Sequence, residues 1–89
     1  MKDYYRIPIN FQVYIIKIKN KPIYKVGVSN KLKARLRNLK VSIYEEFDIL
    51  YVFPHNTRQE ARSHEQKIKL CNAIYRIRGE WYSNLLLNQ

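Results

Sequence analysis

Three side chains suited to phosphate chemistry lie close along the chain. They are Tyr14, Lys25 and Arg35, all within VYIIKIKNKPIYKVGVSNKLKAR, residues 13–35. A phenol can activate water, but its ordinary pKa of ~10 is too high for a base at neutral pH. An ammonium beside it favours the phenolate. A guanidinium can hold two phosphoryl oxygens at once. Singly, each residue has a plainer role: a strand tyrosine packs, a lysine lays its stem on apolar surface, and an arginine on a basic helix is solvated. Converging on one surface, the three would grip or cut a phosphate.

The elements around them decide whether they converge. Residues 11–19, FQVYIIKIK, are β-branched and aromatic, with apolar types on both faces, as in a central strand. Asn20–Lys21–Pro22 makes a turn, and residues 23–28, IYKVGV, return as a second strand. A hairpin symmetric about Asn20–Lys21 sets Tyr14 opposite Gly27, which clears room above the ring. Lys25 then falls on the same face, roughly 7–8 Å away as a diagonal neighbour. A slip of one residue would turn Lys25 to the other face. Ser29 or Asn30 is placed to cap a helix to about Leu39, with Leu32, Leu36, Leu39 and Ile43 as its buried stripe. Arg35 lies roughly 70° off that stripe, on its flank, whereas Lys33 and Arg37 point further toward solvent.

Residues 47–53, FDILYVF, form a third strand that ends at Pro54. Thr57 and Glu60 fit a capping box for a second helix running to about Ala73. Its stripe uses Ala61, Ile68 and Cys71, with His64 within it and Glu65 at its edge. Cys71 reads as a small buried hydrophobe. Gly79 makes a turn, and Trp81 and Tyr82 close the core from one end. Residues 1–10 form an extended lead-in. The expected fold is α+β, one domain over residues 1–89, with a three-stranded antiparallel sheet flanked by helices in the order ββαβα.

Charge points to the partner. Seventeen Lys and Arg against seven Asp and Glu give +10, spread along the chain. A folded domain this basic favours a polyanion, nucleic acid above all. No segment gathers its cations opposite bulky apolar residues, as a membrane-surface helix does, and no apolar run approaches the ~20 residues of a membrane span. One cysteine and two histidines, His55 and His64, lack zinc-ligand spacing. A single cysteine can form no intrachain disulfide, so the expected setting is a reducing compartment, the cytoplasm, or the host's cytoplasm for a viral or phage-encoded protein.

The ordered set Val13–Tyr14, Tyr24–Lys25–Val26–Gly27, the basic helix from Leu32 to Leu39, Glu65, and Gly79–Glu80–Trp81–Tyr82 resembles the GIY-YIG nuclease superfamily, in particular its compact phage-type subgroup. The likeness covers roughly residues 11 to 82. It implies metal-dependent hydrolysis of nucleic-acid phosphodiesters, with DNA as the expected substrate. Tyr14 and Lys25 would activate water, Arg35 would stabilise the phosphate, and Glu65 would hold Mg²⁺ or Mn²⁺. Lys31, Lys33, Arg37, Arg62 and Lys69 would bind the nucleic acid. Gly27 and Trp81 match as structural positions, and Tyr24 and His64 are further candidates. The chain departs from the pattern at Gln12 for a glycine, at Val28 for a basic residue or histidine, and at Lys69 for a histidine. Those departures leave a nucleic-acid-binding module without catalysis as the alternative. An appended recognition domain is not expected within these 89 residues. Specificity would come from this domain as a monomer, from a homodimer, or from a separate partner.

Overall fold

The computed structural model describes residues 11–87, so the lead-in expected for residues 1–10 lies outside the described residues. Among the described residues, five strands and two helices follow one another as β1 (Phe11–Ile18), β2 (Tyr24–Ser29), α1 (Leu32–Ser42), β3 (Phe47–His55), α2 (Arg58–Cys71), β4 (Arg76–Arg78) and β5 (Trp81–Tyr82). A 3₁₀ turn, Ala73–Tyr75, links α2 to β4. All strand pairs are antiparallel, in the order β3-β1-β2-β5-β4. The α+β class holds, but the sheet has five strands rather than three. The two extra strands are only three and two residues long, too short to show a hydrophobic period. They exist because Gly79 takes φ 56°, folding the chain back so that Trp81 pairs with Lys25 of β2.

The strand β1 lies inside the sheet, between β3 and β2. Its odd residues, Val13 and Ile15, pack with Val26, Ala61, Ile68 and Tyr82 on the α2 side. Its even residues, Tyr14 and Ile16, pack with Leu39 on the α1 side, where Leu32, Leu36 and Ile43 add the expected stripe. Residues 13 to 16 are all buried because β1 has a helix over each face and a strand on each edge. The hairpin register pairs Tyr14 with Gly27 and Ile16 with Lys25. Asn20, at φ 65°, makes the tight turn that fixes this register.

Several local expectations change. No side chain caps α1: Lys31 is its N-cap, and Ser29 Oγ accepts from the Lys31 amide instead. The helix runs on to Ser42. The Thr57 cap of α2 is present, with Thr57 Oγ1 accepting from the Glu60 amide at 3.1 Å. Glu60 reaches back to the Asn56 amide rather than to Thr57 itself. Cys71 is exposed, not buried. Asn72 takes the buried position, because four residues beyond Ile68 lies about 40° off the stripe and three lies about 60° off on the other side. The Asn72 amide donates to the Ile68 and Leu86 carbonyls and accepts from the Leu86 amide. This satisfies a fully buried polar side chain and pins the C-terminal segment to α2. The third strand, β3, is an edge strand, which tolerates Pro54 and leaves Ile49 to Val52 partly exposed.

Candidate active site

The strand β5 covers only Tyr24 and Lys25 of β2. From Gly27 to Ser29 the edge of β2 is therefore a margin of the sheet, where side chains from both helix layers can meet. A cleft of about 480 Å³ opens there, lined by Tyr14, Gly27, Arg35, Arg62, Glu65, Lys69 and Glu80 among others. Arg35 reaches it from α1, whereas Arg62, Glu65 and Lys69 reach it from α2. Those three α2 residues recur at i, i+3 and i+7, one helical stripe beside the buried Ala61–Ile68 stripe.

Tyr14 forms part of the cleft floor. It is 1% exposed, and its ring lies over Gly27, filling the space a Cβ would take. The expected clearance at Gly27 is thus used by the ring itself. Lys25 Nζ is 5.9 Å from the centroids of both the Tyr14 and the Trp81 rings. It is paired with Glu80 Oε1 at 2.5 Å, and its side chain is 12% exposed. The Lys25 charge is therefore spent mainly on Glu80. Burial raises the Tyr14 pKa above its ordinary value; Arg35 opposes this, and Glu80 and Glu65 add to it. The lowered pKa expected from the Lys25 ammonium is not what the site produces, and the phenol stays protonated at neutral pH.

Glu65 is joined to Lys69 one helical turn later, with Lys69 Nζ 3.0 Å from Glu65 Oε2. The same ammonium lies 3.5 Å from Glu80 Oε2. A chain of alternating charge, Glu65–Lys69–Glu80–Lys25, thus ties α2 to β2 through the turn before β5. Burial alone would raise the Glu80 pKa, but the hydrogen bond and charge of Lys25, then those of Lys69, hold it below the ordinary carboxylate value. Burial alone would lower the Lys69 pKa, but the Glu65 hydrogen bond and charge, then Glu80, raise it.

Other predicted residues lie elsewhere. Lys31 at the N-cap of α1, and Lys33 and Arg37 on the helix, are exposed and do not line the cleft. Tyr24 packs into the α2-side core, and Trp81 against the Tyr14 cluster. His64 turns away from the cleft, with its Nδ1 2.8 Å from His55 Nε2 and its ring edge-on to Phe53. Burial lowers the His64 pKa, with help from His55 and Lys67. His64 therefore does not stand in for a missing group of the cleft. Two charged cleft residues have no role assigned from sequence: Arg58, whose guanidinium sits 5.5 Å from the Phe11 ring centroid, and Glu80. Glu80 could be recognised only through the β2–β5 pairing.

Four cations, Arg35, Arg58, Arg62 and Lys69, thus face two carboxylates, Glu65 and Glu80. A family model, that of the T5orf172 domain, matches residues 12–86 of the chain. The chain belongs to the T5orf172 domain family. Such domains are phage-associated and of nuclease type, which fits a cleft dominated by cations. The matched span includes every lining residue of the cleft except Phe11. Comparison with curated proteins and with solved structures found no match. Among the described residues, no helix is long and apolar enough to cross a membrane.

Proposed function

We propose that the protein is a small endonuclease of GIY-YIG type that hydrolyses phosphodiester bonds of DNA with a divalent metal. The observation that carries this is the meeting of Tyr14, Arg35 and Glu65, from β1, α1 and α2, in one cleft whose lining is net cationic. A backbone phosphate entering the cleft would be held by Arg35 and Arg62, whose guanidinium forks suit phosphoryl oxygens. Arg35 would strengthen its hold as charge builds on the pentacovalent phosphorus. Tyr14, being protonated, would orient the attacking water through its hydroxyl oxygen rather than act as a phenolate. The water oxygen bonds to phosphorus, the bond to the sugar oxygen breaks, and one water proton ends on that leaving oxygen. Lys25 supports the Tyr14 ring from the same face.

The donors suit a hard cation. Glu65 and Glu80 offer carboxylate oxygens, the preferred ligands of Mg²⁺ or Mn²⁺. An ammonium is already received between them. Glu65 would hold the metal. When bound, such an ion supplies positive charge against the phosphoryl and leaving oxygens. With one carboxylate as the main protein ligand, binding would be weak without nucleic acid.

A binding module without catalysis is the second reading, favoured by the pairing of Glu65 with Lys69. Incubating supercoiled plasmid with the protein and Mg²⁺ or Mn²⁺ separates the two. Nicking that disappears in Glu65→Ala supports the nuclease. Binding with no cleavage, across metals and substrates, supports the module.

A further inference from the structure

The cation position between Glu65 and Glu80 is filled from within the chain. Lys69 Nζ lies 3.0 Å from one carboxylate and 3.5 Å from the other. The Lys69 and Glu65 side chains are 22% and 12% exposed, so this pair is far better shielded than a surface ion pair. Glu80 cannot turn away freely, because its other oxygen is held by Lys25. Lys69 is thus fixed by two acids at once, on the carboxylate that a metal would need.

We propose that Lys69 is a resident counter-cation: it competes with divalent metal for Glu65 in the free protein, and a nucleic-acid phosphate entering the cleft draws it away. The inference rests on the reading that Glu65 is the metal ligand, and it adds a mode of regulation. An ammonium and a divalent ion cannot share Glu65 Oε2 without strong repulsion. A phosphate offers Lys69 a new anionic partner within the same cleft and frees the carboxylate. Metal and nucleic acid then raise one another's affinity, as coupled ligands must. Lys69 is here a positioning residue, since it acts on the metal through Glu65.

Calorimetric titration of Mn²⁺ into the nucleic-acid-free protein tests this without any cleavage assay. Lys69→Gln should bind Mn²⁺ about tenfold tighter than wild type or more, because a shielded ion pair to the ligand is gone. Lys69→Arg, which keeps the charge, should stay as weak as wild type. Glu65→Gln in the Lys69→Gln background should remove the gain. A short duplex with phosphorothioate linkages should shrink the gap between wild type and Lys69→Gln. Equal Mn²⁺ affinities of wild type and Lys69→Gln would overturn the proposal, as would a gap that the duplex leaves unchanged. Lysine side-chain NMR of the wild type covers the case in which a variant does not fold. Saturating Mg²⁺ should move the Lys69 Nζ resonance, and saturation that leaves it in place also overturns the proposal. Cleavage that is absent in wild type counts against the nuclease reading alone, so the two failures are distinct.

Discussion

The Tyr14 ring occupies the space where a side chain at Gly27 would begin. The two residues face each other across the β1–β2 pair, and the ring closes the floor of the cleft over the bare backbone of Gly27. Gly27→Ala should therefore push the ring out of a buried position. We expect a loss of about 1–3 kcal/mol in stability, the usual cost of overpacking. Chemical denaturation measures it, and the same substitution should cost less in a Tyr14→Ala background, where nothing stands over the Cβ.

Tyr14 should titrate above ~10, the ordinary tyrosine value. Burial is the main cause, and the two cleft carboxylates reinforce it. An ultraviolet titration of wild type against Tyr14→Phe isolates this group. A tyrosine lost from the titration below ~10 would mean that the charge of Arg35 outweighs burial and the two carboxylates.

Acid stability should depend on Glu80. Its pKa is lower folded than unfolded, so the unfolded state binds more protons as the pH falls. The stabilisation is complete above the unfolded value of about 4.3 and is lost as pH drops through the folded value. Thermal melts from neutral pH downward should show a steeper acid decline for wild type than for Glu80→Gln. Parallel declines would contradict the Lys25–Glu80–Lys69 link.

Nucleic-acid affinity should fall with salt, and the cleft arginines should carry more of that slope than the outer face of α1. Arg62→Ala and Arg58→Ala should each reduce the salt slope by about one phosphate contact, with Lys33→Ala and Arg37→Ala changing it less. Binding isotherms across a salt series read this directly. A larger effect at Lys33 or Arg37 would move the interface off the cleft.

Much of this arrangement is legible in the chain itself. The β1–β2 register follows from the Asn20–Lys21 turn and from apolar types on both faces of residues 13–16, so the Tyr14–Gly27–Lys25 relation can be worked out by counting. The two helix stripes follow from leucine and alanine–isoleucine spacing. The strands β4 and β5 do not, because five residues in two pieces have no period to read. Their loss hid Glu80, and with it the reason that Lys25 is neutralised. Asn72 was hidden because polar residues are expected at the surface, and only the fold of the C-terminal segment reveals that its amide is fully satisfied. The outward placement of Lys31, Lys33 and Arg37 follows from α1 packing by its leucine stripe, which leaves Arg35 as its one cation in the cleft.

In the proposed reaction Arg35 works on the phosphate during cleavage, not only during binding. Single-turnover cleavage of a labelled DNA duplex with Mg²⁺ or Mn²⁺, with affinity measured alongside, tests it most directly. Wild type should cleave, and Arg35→Ala should slow the chemical step by roughly 10²–10³-fold, as loss of a transition-state donor does, while weakening binding far less. A wild type that binds but never cleaves, or an Arg35→Ala variant that cleaves at the wild-type rate, would contradict it.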